Sequence, residues 1–253
     1  MRPPAARRAG ARWLDVAPER FPGWTAAFAR RHGAALTVAL AGGTATFAAP
    51  DGAVAECHPP FPPLPEGLPA DPGAAAEAIA AHALRPRTAG VLLVRLGGYA
   101  AGVFTGSPPE LAASKTGSRP VHGRSAAGGW SQQRFARRRE KQASEALRAA
   151  ADAAAAVFGG WGAGRVRPEP GITARGGRVP ARAEGPGGPG LDALVLGGDK
   201  RAVAAIRADP RLAPYLALAT DRFLTVPDPG RAVLEDAPRL FLAVRIRLTE
   251  PSS

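Results

Sequence analysis

Lysine is nearly missing from this basic chain: Lys115, Lys141 and Lys200 are its only lysines, and arginine supplies the rest of the 33 cationic side chains. A net charge of +12 favours a polyanionic partner, nucleic acid before membrane. Arginine that is abundant together with Ala, Gly and Pro also follows from GC-rich coding, so composition alone does not decide the matter. Cysteine occurs once, as Cys57, which excludes an internal disulfide framework and a cysteine-based zinc site. The four histidines, His32, His58, His82 and His122, show no metal-ligand spacing, and no metal or other cofactor is expected. No apolar run reaches the roughly 18 residues of a membrane helix. The basic start, Met1 to Arg12, lacks the apolar stretch of a secretory signal, so the cytoplasm is the expected compartment. Aromatic residues make up only 6%, which leaves packing to Ala, Leu and Val. The 31 Gly and 27 Pro imply long irregular connections.

What is present points to a mixed α+β chain, a mixed β-sheet with flanking helices. A short helix is expected over Trp24 to Arg31, stopped by Gly33. Leu36 to Leu40 and Thr44 to Ala48 flank Gly42-Gly43 as a β-hairpin. Residues 59–70 are Pro-rich and read as a linker, so a small N-terminal unit is expected over 1–66 and the main domain over 67–253. Asp71-Pro72 is a helix start for Gly73 to Leu84. Val91 to Leu96 and Tyr99 to Thr105 form a second hairpin about Gly97-Gly98. Residues 106–130 lack apolar periodicity and are expected to be a mobile loop. A long helix follows over Ser131 to Val157, with Phe135, Ala143, Ala146, Leu147, Ala150, Ala154 and Val157 at helical spacing. Arg134, Arg138, Lys141 and Arg148 fall off that stripe. After the Gly/Pro/Arg-rich loop 159–190 come a strand at Leu191 to Leu196, a helix at Lys200 to Ala208 and a strand at Phe223 to Val226. Leu240 to Leu248 alternates apolar with other residues and reads as a half-buried strand.

Charge clusters where chemistry is expected. Residues 115–150 contain nine cationic side chains against Glu140 and Glu145, a net +7 that coding bias does not produce. Within them runs His122-Gly123-Arg124-Ser125-Ala126-Ala127-Gly128-Gly129-Trp130-Ser131-Gln132-Gln133-Arg134-Phe135-Ala136-Arg137-Arg138-Arg139-Glu140-Lys141. Gly128 and Gly129 open backbone angles closed to other residues and permit close approach to a ligand. A glutamine amide both donates and accepts, so it can hold a water without acting as a base. Arginines contact phosphates and position the protein without reading sequence.

This run resembles the glycine-glycine-glutamine segment of the eukaryotic and archaeal class 1 translation termination factors, in which the loop is followed by Ser-x-x-Arg-Phe-Ala-Arg-x-Arg. Ser131, Arg134, Phe135, Ala136, Arg137 and Arg139 stand in that pattern. Trp130 falls where that family has its glutamine. Gly129-Trp130-Ser131-Gln132 instead is similar to the Gly-x-x-Gln of the peptidyl-tRNA hydrolases of ribosome-associated quality control. The resemblance is strong over about 122–145, extends over the order of elements in 85–253, and includes nothing like a stop-codon-reading domain. It implies a release-factor-like catalytic domain that hydrolyses the ester of peptidyl-tRNA on stalled ribosomes or large subunits. Gln132, with Gly128 and Gly129, would carry the chemistry, with Gln133 open as the alternative amide. His122, Arg124, Ser131, Arg134, Arg137, Arg138, Arg139 and Lys141 would contact RNA. The implied partners are the large ribosomal subunit, its rRNA and peptidyl-tRNA, with no membrane and a monomeric chain.

Plainer readings stand beside these. Ser131 is also a good helix N-cap, and Phe135 suits a core. Trp130 suits either a wedge at the ribosomal site or packing of the loop. Gly197-Gly198-Asp199-Lys200 lacks the full phosphate-loop pattern and reads as a strand-to-helix turn. Cys57 beside His58 reads as incidental. Two other function classes compete: a non-catalytic ribosome- or RNA-binding module, and a nuclease or tRNA-processing enzyme, for which only Glu140 and Glu145 are at hand in 115–145.

Overall fold

The structure, a computed structural model, describes residues 11–95, 97–118, 131–161 and 190–251, with 131–141 described by backbone alone. Along the chain run β1 (Arg12–Val16), α1 (Phe21–His32), β2 (Thr37–Ala41), β3 (Thr44–Ala48), β4 (Val54–His58) and α2 (Pro72–Ala83). Then come β5 (Ala89–Arg95), β6 (Gly98–Thr105), β7 (Glu110–Ser118), α3 (Ser131–Gly159) and β8 (Ala193–Gly198). The last elements are α4 (Lys200–Ile206), α5 (Ala213–Leu216), β9 (Ala219–Leu224), α6 (Arg231–Phe241) and β10 (Val244–Thr249). The α+β class holds, but the strands form two five-stranded sheets rather than one. The chain divides into two compact units, 1–85 with 238–253, and 86–237.

The first unit is built on an antiparallel sheet in the order β1-β10-β4-β3-β2. One face is apolar: Ala45, Phe47, Ala55, Cys57, Val244, Ile246 and Leu248 are buried and share a core with Phe21 and Phe28 of α1 and Ile79 of α2. The scarce aromatics concentrate on α1, where Phe21, Trp24, Phe28 and His32 follow one another at ring separations of 6.1, 5.6 and 4.8 Å. Spacing of three and four residues puts them on one side of the helix. In α2 the Asp71 carboxylate accepts from the Ala74 N–H at 2.7 Å, and Pro72 occupies the first turn, where its missing N–H costs nothing.

Two boundary expectations change here. Residues 59–70 are no free linker, because Pro59, Pro60 and Leu64 are buried. Nε2 of buried His82 lies 3.0 Å from the Phe61 carbonyl oxygen, an acceptor only, so that nitrogen carries the proton. Proline rings bury apolar area without leaving an N–H to satisfy. By packing, the first compact unit takes in residues 1–85 with 238–253, and α2 contributes to its core. The final strand, expected in the main domain, returns to lie between β1 and β4. The alternation expected at 240–248 holds only from Val244, where Arg245 and Arg247 point outward; Leu240 belongs to α6.

His32 ties this unit together: Nδ1 lies 2.9 Å from Asp51 Oδ2 and Nε2 lies 3.4 Å from Glu250 Oε2. The Ala53 N–H, then His32, hold the Asp51 carboxyl below its ordinary 3.8. A depressed folded-state pKa stabilises the fold above the unfolded value, and that contribution fades as pH falls through the lowered one. Asp51→Asn is thus expected to lower the thermal midpoint near neutrality, with the gap from wild type closing as pH falls through the lowered folded-state value. An equal gap at neutral and at strongly acid pH in thermal melts would contradict this.

The second unit is a mixed sheet in the order β7-β6-β5-β8-β9, in which β5, β8 and β9 are parallel and the β5-β6-β7 meander is antiparallel. The central strands are buried on both faces, as β5 shows from Ala89 to Val94. β7 lies where a loop was expected. It is an edge strand of small and polar residues, half exposed throughout, so its pairing with β6 leaves little apolar pattern in the sequence. β9 begins four residues before the expected strand, and α6 was not expected at all. Among the described residues no helix is long and apolar enough to cross a membrane.

Candidate functional site

The candidate segment is held at both ends by the second sheet. β7 delivers the chain at Ser118, and α3 takes it up at Ser131. The delivering end is pinned by register, Gly98 opposite Ser118 and Tyr99 opposite Gly117. A Cβ on Gly117 would stand 2.6 Å from the Tyr99 ring, so only glycine lets the aromatic lie across the strand end. Covering a strand glycine with a cross-strand ring excludes water from the exposed backbone.

The receiving end is fixed by the far half of α3. Ala150, Ala151, Ala154 and Phe158 are buried against Leu92, Val94, Ala101, Val103 and Leu194. Short alanines let the helix lie close to the sheet, and Phe158 fills the space beside Gly90 and Tyr215. On the exposed side, the Arg211 guanidinium donates to Asp152 of α3 at 2.7 Å and to Asp209 at 2.7 Å. This pairing holds the Asp209 carboxyl below its ordinary range and pushes the Arg211 guanidinium up. Exposed pairs of this kind add little stability, so the apolar stripe carries the anchoring.

Ser131, Gln132, Gln133, Arg134, Arg137, Arg138, Arg139 and Lys141 thus share the first three turns of one helix. His122, Arg124, Gly128, Gly129 and Trp130 lie outside the described residues. The first-turn N–H groups of a helix have no partner within it, and its dipole adds positive potential there. Gln132 and Gln133 therefore stand at an electropositive helix start that continues into a run of cations. Arg148, further along, is exposed. Lys115 on β7 is exposed too, a cation whose strand setting sequence periodicity did not disclose.

The competing motifs fall away. Gly197-Gly198-Asp199-Lys200 is a strand-to-helix turn: Gly198 has φ +100°, and the Asp199 carboxylate caps α4 by accepting from the Ala202 N–H at 2.8 Å. A carboxylate already occupies the place a phosphate would take. Cys57 is fully buried in β4, and burial pushes its thiol far up, so it supplies no thiolate. Among the described residues no three metal-ligating side chains cluster.

A family model described as Actinobacteria/chloroflexi VLRF1 release factor matches residues 87–247. The chain belongs to this family. The VLRF1 release factor match opens just before β5, includes both ends of the candidate segment, and runs on into β10. The release-factor resemblance of residues 122–145 therefore rests on a likeness that spans the whole second sheet. Unit one before residue 87 lies outside the VLRF1 match. No curated protein matches the chain.

Proposed function

We propose that this VLRF1 family member hydrolyses the ester of peptidyl-tRNA held on the large ribosomal subunit and so frees a stalled nascent chain in the cytoplasm. The observation that carries the reading is the Gly-x-x-Gln run, Gly129 to Gln132, at the start of a cationic helix anchored in a release-factor domain. In the reaction a water oxygen attacks the ester carbonyl carbon. The carbon–oxygen bond to the terminal adenosine breaks, the ribose oxygen gains a proton, and the peptide leaves as its carboxylate. The Gln132 amide or an adjoining backbone N–H orients the water or meets the developing oxyanion, a positioning and electrostatic effect that needs neither a protein base nor a cofactor. Ribosomal RNA and the tRNA complete the pocket, and one copy of the chain suffices. Peptide release from nascent-chain–tRNA on isolated large subunits tests the proposal: release by wild type and none by Gln132→Ala supports it, while binding without release by wild type leaves a non-catalytic docking module.

The cations of α3 make a separate prediction. Replacing Arg137 and Arg138 together with glutamine is expected to weaken subunit binding and to flatten its salt dependence, by a log–log slope of about 0.7–0.9 per lost phosphate contact. Release at saturating protein is expected to stay near wild type. Affinity measured across a salt series checks this, and an unchanged slope would show that these arginines face solvent only.

A further inference from the structure

The register of the second sheet sorts the polar side chains of its edge strand β7 between two faces. Lys115 stands opposite Ala101 and Gly117 opposite Tyr99, while Ser114 stands opposite Gly102. Directly opposed residues of an antiparallel pair share a face, and Ala101 is buried in the core that α3 packs on. Lys115, Gly117 and Tyr99 therefore lie on the α3 face, and Ser114 lies on the other, where Leu234 meets Gly102. Cations on the two faces differ in what they meet. On the far face the Arg231 guanidinium donates to Ser114 at 2.9 Å and to Glu235 at 2.6 Å. On the α3 face Arg211 is spent on Asp152 and Asp209. Lys115 is exposed, and among the described residues no carboxylate pairs with its ammonium. The one acid of β7, Glu110, sits at the opposite end of the strand. Beside Lys115 the Tyr99 ring takes the space that Gly117 leaves, its phenol oxygen 2.6 Å from where a Cβ on Gly117 would stand. The hydroxyl thus lies over the edge strand two residues along from Lys115, about 7 Å away on the same face. Among the described residues that hydroxyl has no hydrogen-bond partner. Phenylalanine would serve the packing equally, so the oxygen is free for an acceptor outside the chain. A neutral donor and an unspent ammonium stand side by side on the face that carries the cationic helix.

We propose that Lys115 and Tyr99 make a further RNA contact, the ammonium meeting a phosphate and the phenol hydroxyl donating to a phosphate or ribose oxygen of the same backbone. The choice of RNA rests on the reading of α3 as an RNA-contacting helix, in a release-factor family member of net charge +12. Affinity of the full chain for isolated large subunits across a salt series tests it. Lys115→Gln is expected to weaken binding about five-fold at about 0.1 M salt and to flatten the salt dependence by a log–log slope of about 0.7–0.9, while Lys115→Arg keeps both. Arg207→Gln removes an equal exposed charge at the end of α4, on the other flank of α3, and is expected to leave the slope unchanged. Tyr99→Phe keeps the ring over Gly117 and is expected to lose a few-fold in affinity at the wild-type slope, since a neutral donor releases no counterion. An unchanged slope in Lys115→Gln, or an equal fall in Arg207→Gln, would overturn the proposal. So would a Lys115→Gln defect on whole subunits that vanishes on their protein-free rRNA, since Lys115 would then meet a ribosomal protein. The α3 reading fails separately: if the Arg137 and Arg138 double variant keeps its slope while Lys115→Gln loses it, the contact belongs to β7 and not to the helix.

Discussion

Gln132→Ala is expected to lower the rate of peptide release by about a hundred-fold or more, the usual cost of removing one positioned donor from an oxyanion-type site. Affinity for the large subunit is expected to hold, because the neutral amide contributes no counterion release. Gln133→Ala is the matched control: it lies one position further along α3, about a quarter-turn away, and a helix that aims one amide at the ester turns the other aside. Gln132→Glu should fail nearly as completely as alanine, since a carboxylate accepts but does not donate and brings a charge against developing negative charge. The rate pattern across these three variants, measured at saturating protein, separates positioning by Gln132 from any effect on docking. If Gln133→Ala proves the silent-release variant instead, the active amide moves by one residue and the mechanism stands.

The largest expected loss of stability comes from Phe158→Ala. Its ring is fully buried where α3 meets β5, β8 and α5, in contact range of a Cβ at Gly90 and 5.6 Å from the Tyr215 ring. Removing it leaves a cavity between a long helix and a sheet, which cannot close without shifting the helix, and costs about 3–5 kcal/mol. Leu234, equally buried, packs against Gly102 on the opposite face of the same sheet, so it cannot move into the gap. Denaturant unfolding is expected to show a lower midpoint at an unchanged slope. A loss below about 1 kcal/mol would mean that α3 is held by something other than its apolar stripe.

The sequence was most informative where one local rule acts alone. Asp71-Pro72 named the start of α2 because a carboxylate N-cap followed by proline satisfies helix ends in few other ways. The alanine stripe through Ala154 showed which side of α3 is buried, and the alternation from Val244 showed the same for β10. Tertiary pairing was not legible. β7 is an edge strand whose polar residues pair with β6 through backbone groups common to every residue. β1 was hidden in the same way, and β10 joins β1 and β4 across most of the chain's length, a choice no local pattern encodes. The candidate site was legible for a different reason. Adjacent glycines, amides and arginines, Gly128 to Arg139, form a contiguous string, so recognising it required no knowledge of the fold. What the structure adds is the mount, the Tyr99–Gly117 strand end on one side and the buried half of α3 on the other.

The most direct measurement of the central claim is a product analysis with wild-type protein, using large subunits that carry a nascent chain on an end-labelled tRNA. The account predicts a free peptide with a carboxyl end and a tRNA of full length whose terminal adenosine can be charged again. A shortened tRNA, with the peptide still attached to the excised fragment, would show that a phosphodiester was cut and would contradict ester hydrolysis by the Gln132 loop.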